Sequence, residues 1–246
     1  MPHRKQATRA DFSTRPLYMQ IHDHFVELIA SGEWESGKLL ESENELARKL
    51  AVSVGTVRKA LDVLEAGHLV SRRQGRGTTV NDQSSDEFNI HFSNLRIGDG
   101  QRVTGTISSV DVEEAEADAN EQRQLKLKKG DTVFRCVRVR EYHGRRFMFE
   151  RLAITKKLLP DLDEAQFSIA RVLAIAAKRN GILLGTGTEK VCVNTADPEV
   201  SKALSIAPGT PLLRLDRVIN MMDGMPLEWR VADCHLQEKY YMTDFV

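Results

Sequence analysis

The sequence predicts an α+β chain in two parts: three short helices with a hairpin, then a mixed, mainly antiparallel sheet with packed helices. Three observations predict it. Apolar residues recur at helical spacing in three stretches between Pro16 and Glu65, two of them opened by a serine able to cap. "RRQGRGTT" bends with glycines between two short extended runs. Beyond residue 130, two period-two runs each fold about a glycine-containing turn, with a helical stretch between them.

Pro16 begins a helix that runs to about Ser31, with Ile21, Phe25 and Leu28 on one face and Gly32 at its exit. Ser42 and Glu45 form a capping box for a second, short helix carrying Leu46, Ala47 and Leu50. Ser53 caps the third, whose buried stripe is Val57, Ala60, Leu61 and Leu64, and Gly67 ends it. Leu69 and Val70 lead into the hairpin, and Thr78 to Val80 return from it. In this order the elements outline a winged helix-turn-helix. The helix from Val54 to Glu65 is sized for a major groove, and the turn from Arg72 to Arg76 is placed to reach phosphate or a minor groove. The predicted organisation is a flexible arm over 1–15, this winged unit over 16–80, a polar linker over 81–91 and a second domain over 92–246.

In the second domain "GTISSVDVEEAEAD" suggests an early strand, with the acidic run around Glu113 to Glu121 a solvated loop or helix. Residues 132 to 141 alternate as a strand, "YHGR" turns, and a second strand runs from about 146 to 154. Phe134, Cys136, Arg138 and Arg140 share one face of the first, and Met148, Glu150, Leu152 and Ile154 one face of the second. Charge inside an apolar face has two readings. One is a structural ion pair of small net worth. The other is a ligand cavity in which the arginines bind an anion bidentately while Glu150 receives hydroxyl or amine hydrogens. Patterning leaves both open. Downstream, Ser168 is the expected N-cap of a helix with Ile169, Val172, Leu173 and Ala176 inward, and Gly181 stops it. "TPLLRLDRVINMMDGMPLEWRVADC" then supplies two more strands about Asp223 and Gly224, and Met221 and Met222 read as packing residues.

Composition narrows the function classes. The 246 residues are 41% hydrophobic and 28% charged, and no run approaches the roughly 18 apolar residues of a membrane helix. "MPHRKQATRADFSTRP" lacks the apolar segment of a secretory signal, so a cytoplasmic protein is expected. Cys136, Cys192 and Cys234 are too widely spaced for a metal pair and odd in number. Lysine plus arginine balances aspartate plus glutamate at 35 each, so nucleic-acid binding has to rest on local geometry. Residues 41–80 carry seven basic and five acidic side chains, a net of plus two. The seven histidines form no HExxH or triad-like motif, and no glycine-rich phosphate loop precedes a helix.

The run "LLESENELARKLAVSVGTVRKALDVLEAGHLVSRRQGRGTTV" resembles the N-terminal domain of the GntR family of bacterial transcription regulators. The resemblance implies DNA contact through Ser53, Thr56 and Arg58, with Gly75 and Gly77 framing the wing tip; Arg72, Arg73 and Arg76 join them, backbone phosphate being the expected partner of these three and of Arg58, while Lys59 is a candidate that could equally face solvent. Two positions depart from the family pattern, which places arginine where this chain has Asn44 and Val54. Asparagine serves adenine or phosphate and valine offers only an apolar surface, so a different operator preference is expected.

Residues from about 92 to 243 resemble the effector-sensing UTRA domain of the HutC-type branch, whose fold is chorismate-lyase-like. "VRVREYHGRRFMFE" and "GTPLLRLDRVINMMDGMPLEWR" carry that likeness. It implies effector binding at Arg138, Arg140, Glu150, Ser168 and Glu228, with Tyr240 closing the pocket. Ala170 stands where relatives place a tyrosine and Arg146 where they place a proline, so the effector need not be theirs. The expectation is therefore an effector-responsive, DNA-binding homodimer, a repressor released from operator DNA by a small, anionic metabolite. No cofactor, metal, membrane partner or catalysis is expected. The rival readings are a winged-helix protein-interaction module and an enzyme built on the lyase-like domain.

Overall fold

The computed structural model describes residues 15–85 and 93–243. The expected N-terminal arm up to residue 14 and the linker residues 86–91 lie outside the described residues. The chain divides into two compact units between Asn81 and Asp82.

In the first unit, helices α1 (Leu17–Ala30), α2 (Glu43–Lys49) and α3 (Val54–Ala66) precede a hairpin of β1 (Val70–Arg73) and β2 (Gly77–Val80). Both serine caps form. Ser42 Oγ accepts from the Glu45 amide while Glu45 accepts from the Ser42 amide at 2.9 Å, and Ser53 Oγ accepts from the Thr56 amide at 3.1 Å. These bonds satisfy amides that the first turn of a helix leaves open. The predicted stripes meet in one core. Ile21 and Phe25 of α1 are buried, as are Leu46 and Ala47 of α2, Val57, Ala60, Leu61 and Leu64 of α3, and Leu69, Val70 and Val80 of the hairpin. Trp34, which helical periodicity did not pick out, stacks on Phe25 with ring centroids 4.7 Å apart. The hairpin turn places Gly75 at φ +75° and Gly77 at φ +85°, a backbone region that favours glycine.

In the second unit six strands form one sheet in the order β5 (Thr106–Glu116), β6 (Thr132–Tyr142), β7 (Arg145–Thr155), β10 (Pro226–Cys234), β9 (Pro211–Met221), β8 (Leu184–Thr195). Each neighbouring pair is antiparallel. Helices α4 (Ala119–Leu125) and α6 (Pro198–Leu204) cover one face, burying Val133 and Ala153 under α4 and Val139 and Phe149 under α6. The other face has two covers. Helix α5 (Val172–Arg179) and the 3₁₀ turns Lys156–Leu158 and Glu164–Ser168 close over Phe134, Cys136, Leu152, Ile154 and Ile219. A small sheet, ordered β11 (Lys239–Tyr241), β3 (Leu95–Ile97), β4 (Gln101–Arg102), closes over Met148, Leu215, Ala232 and Cys234.

Two local expectations need correction. The acidic run, expected as a solvated loop or helix, is mostly exposed and does enter a helix, α4, capped by Asp118, but its first part is the end of β5, which extends to Glu116, and Glu121 is buried, accepting Arg135 Nε at 2.7 Å. Its carboxylate serves both the capping box and an arginine, and that dual use makes burial tolerable. Ser168 does not cap a helix either. Its Oγ donates to the Ala165 carbonyl at 2.8 Å, closing the 3₁₀ turn, and α5 begins four residues later after Arg171 with no side-chain cap.

Gly105, at φ +66°, leads from the small sheet into β5, and a Cβ there would stand 2.6 Å from both the Glu141 carbonyl oxygen and Phe147 Cε1. Gly105→Ala is therefore expected to destabilise the second unit by more than about 1 kcal/mol, read as a lowered urea midpoint with unchanged slope.

Candidate functional site

Alternation along β6, β7, β10, β9 and β8 sends one set of charged side chains to the face shared by α5 and the small sheet. Cross-strand register then aligns them. Arg138 lies opposite Glu150, Arg230 opposite Arg217, and Arg217 opposite Glu189. Glu150 is the hub, 1% exposed. Its Oε2 accepts Arg138 Nε at 2.8 Å and Arg140 Nε at 2.7 Å, and its Oε1 accepts Arg230 Nη1 at 3.0 Å. Burial alone would raise this carboxyl, but the three guanidiniums hold it well below its ordinary range. Burial, reinforced by Arg138 and Arg230, pulls Arg140 down to about 10 against the attraction of Glu150. For Arg230, burial is outweighed by Glu228 and Glu150, which hold its guanidinium charged.

Above this floor is a cavity of about 320 Å³, at the lower end of the roughly 300–1,000 Å³ common for small-ligand sites. Its charged lining is Arg140, Arg171, Arg217 and Arg230 with Glu150 and Glu189, so four positive charges face two negative ones. Thr104 and Asn94 bring the small sheet's edge to the rim, and the Thr104 carbonyl accepts Arg140 Nη1 at 3.0 Å. Glu189 is tied down as well: Arg217 Nε donates to its Oε1 at 2.7 Å and Tyr241 Oη to its Oε2 at 2.7 Å.

Of the residues singled out in the sequence, Arg140 and Glu150 line the cavity. Arg138 and Glu228 are fully buried beside it without lining it. Among the described residues both Nη groups of Arg138 have no hydrogen-bond partner, while Glu228 Oε1 forms an ion pair with Arg230 Nη2 at 2.7 Å. Ser168 is exposed, and Tyr240 is 37% exposed with its hydroxyl on the Gly98 carbonyl, so neither reaches the cavity. Sequence reasoning missed Arg171, Glu189, Arg217 and Arg230. Spacing of two along β10 puts Arg230 on the face of Glu228, a signal that could have found it, but only the register of β8 on β9 brings Glu189 to Arg217.

The first three residues of this unit are tied to the elements that form the cavity's wall. Gln83 Nε2 donates to the Leu184 carbonyl and its Oε1 accepts the Leu184 amide, both at 2.8 Å. Arg171 Nη1 donates to the Ser84 carbonyl at 3.0 Å, and Lys178 pairs with Asp82 at 3.0 Å. Leu184 and Arg171 both line the cavity.

In the winged unit, Asn44, Ser53, Arg58, Lys59, Arg73, Gly75, Arg76 and Gly77 are exposed, and Thr56 is half-buried with its hydroxyl 2.8 Å from Ser53 Oγ. Arg58 donates through Nε and Nη2 to Glu43 at 2.9 and 2.8 Å. Arg72 is more enclosed, its guanidinium 2.6 Å from Asp62, 3.4 Å from Glu65 and 3.8 Å from Glu43. It braces the wing against α3. Lys59, Arg73 and Arg76 have no carboxylate partner among the described residues and stand toward solvent.

A winged helix-turn-helix joined to a unit that encloses a charged cavity defines a ligand-responsive DNA-binding regulator. Residues 17–80 match the gntR family of bacterial regulatory proteins and residues 100–238 the UTRA domain. The chain belongs to the GntR family of transcriptional regulators, in its UTRA-bearing form, and these are regulators rather than enzymes. It is 28% identical over 218 residues to the mannosyl-D-glycerate transport/metabolism system repressor MngR of Escherichia coli, covering 87% of this chain and 90% of that one. It is 28% identical over 206 residues to the histidine utilization repressor of Pseudomonas putida, covering 82% and 81%. The crystal structure of the possible transcriptional regulator YydK from Bacillus subtilis shares the fold at 18% identity and a TM-score of 0.54, over 94% of this chain and all of that one. Among the described residues no helix is long and apolar enough to cross a membrane, and no three histidine, cysteine, aspartate or glutamate side chains gather as a metal site.

Replacing Glu150 by glutamine leaves three buried guanidiniums without their carboxylate. The expected loss is about 3–5 kcal/mol of stability in the second unit. The sign with pH follows from the depressed carboxyl: its contribution is present above the ordinary value of 4.5 and is lost only as pH falls through the lower folded value. The gap in unfolding free energy between wild type and E150Q is therefore expected to persist at about pH 5 and to close at lower pH, as measured by denaturant melts across the acid range.

Proposed function

We propose that this protein is a cytoplasmic, homodimeric repressor that leaves its operator when a small anionic metabolite fills the cavity over Glu150. One observation carries the reading: a single chain joins a winged helix with an open basic wing to a unit whose cavity holds four arginines against two glutamates. The named functions of the Escherichia coli and Pseudomonas putida relatives favour repression.

The α3 N-terminus, with Ser53 and Thr56, enters the major groove, flanked by Asn44, and Val54 presents an apolar surface to a thymine methyl. Lys59, Arg73 and Arg76 neutralise phosphate, with Gly75 and Gly77 allowing close approach at the wing tip. Arg58 contacts DNA only by sharing or leaving Glu43, while Arg72 positions the wing. Pairing of two copies is supported by β8, an unpaired sheet edge whose Val193 is 80% exposed. Coupling to the head runs through residues 82–85, because an anion that recruits Arg171 competes with the Ser84 carbonyl for the same guanidinium.

Fluorescence anisotropy with DNA from the protein's own upstream region, against a scrambled duplex, tests the DNA half of this reading. Specific binding should survive salt that removes the scrambled complex. Arg73→Ala and Arg76→Ala are each expected to weaken both complexes and to lower the log–log salt slope by about 0.9 per lost phosphate contact. Unchanged slopes in both variants would remove the wing from the interface.

A further inference from the structure

The cavity's charged groups favour an anion over a neutral sugar. A polyhydroxylated ligand needs several acceptors for its hydroxyl hydrogens, and the two carboxylates of the lining already accept from protein donors. Glu150 accepts from Arg138, Arg140 and Arg230, and Glu189 from Arg217 and Tyr241. The net charge facing the cavity is positive: four guanidiniums against the two carboxylates, plus two. Ser93, Asn94 and Thr104 add neutral polar groups, and the remaining lining residues are aliphatic. Ala170, Leu173, Ala174, Leu184 and Ile219 form one wall, and Leu95, Val103, Met148, Leu215 and Ala232 the other. The volume of about 320 Å³ corresponds to about ten water-sized groups at roughly 30 Å³ each.

We propose that the effector is a compact carboxylic acid with an apolar body and up to two negative charges, its acid groups on Arg217, Arg230 and Arg140 and its hydrocarbon between the two aliphatic walls. This rests on the effector reading of the cavity and names the class that the cavity selects. Burial of the hydrocarbon supplies affinity, and the guanidiniums, each already held on one side by a carboxylate or a carbonyl, supply orientation. A hydroxyl-rich body would lose its water hydrogen bonds against aliphatic walls and be rejected on that account.

The test is thermal unfolding of the full chain at constant ionic strength with two sets of probes. One set is phenylacetate, adipate and phenylsuccinate; the other is glucose 6-phosphate, gluconate and inorganic phosphate. At about a hundredfold excess over Kd, a matching acid should raise the midpoint by about 5–10 °C, and the hydroxylated and inorganic probes should not. Arg217→Gln should weaken the acid at least tenfold, and Ala174→Leu, which fills the cavity, should abolish its shift; if one variant fails to fold, the other decides. A shift with glucose 6-phosphate or gluconate that exceeds every acid's, and is lost in R217Q, would overturn the proposed class while keeping the cavity as the effector site. Acid shifts that survive both substitutions would place the binding elsewhere and overturn both. No shift with any of the three acids would overturn the proposed class.

Discussion

A buried carboxylate shared by three arginines is the constraint around which the second unit is arranged. Moving Glu150 and its partners out of water is costly, and direct attraction repays that cost only when geometry and hydrogen bonding are favourable. Here Nε of Arg138 and Arg140 both reach one oxygen and Arg230 reaches the other, so the carboxylate is satisfied. The arginines are satisfied less completely. Among the described residues Arg138 keeps both Nη groups without a partner, and burial depresses Arg140 to about 10. An excess of positive charge thus sits at the floor of a cavity with aliphatic side walls, where a lowered dielectric strengthens attraction for an anion.

The sheet makes this possible because antiparallel register places charges from five strands in adjacent rows on one face. Two unlike covers, α5 with its 3₁₀ turns and the small three-stranded sheet, meet that face at different places. The cavity is bounded by both. The residues that follow Asn81 buttress it, since Gln83 pairs with both backbone groups of Leu184, which lines it. The winged unit solves a smaller problem with the same chemistry. Glu43, Asp62 and Glu65 gather Arg72 and brace the wing on α3, which leaves Arg73 and Arg76 open at the tip.

Local signals carried much of this architecture. Both serine caps, the apolar stripes of α1 to α3 and the limits of β6 and β7 were legible, because each depends on neighbours within a few residues. Alternation likewise put Arg138, Arg140 and Glu150 on one face. What could not be read depends on contacts distant in sequence. Glu189 meets Arg217 only through the register of β8 on β9, and Gln83 reaches Leu184 across a hundred residues of chain. Ser168 misled because a serine before an apolar helical stretch has the pattern of a cap, whereas its hydroxyl closes the preceding 3₁₀ turn. Tyr240 followed the resemblance alone; its strand alternates so that Tyr241 meets Glu189 while Tyr240 faces solvent. That Glu150 shares a face with Arg138 and Arg140 was legible, but not that it accepts from three guanidiniums, since Arg230 comes from a strand far along the chain.

The central claim is that the cavity and the DNA-binding head share one equilibrium, and linkage makes that claim testable from the DNA side. If effector binding changes affinity for DNA, DNA binding must alter the cavity by the same free energy. Amide hydrogen exchange of the full chain, with and without operator DNA, reads this directly at Leu184, whose amide donates to Gln83. The account predicts a change in protection at Leu184 and along α5 when DNA binds. Changes confined to residues up to Asn81, with Leu184 and α5 unaltered, would contradict it.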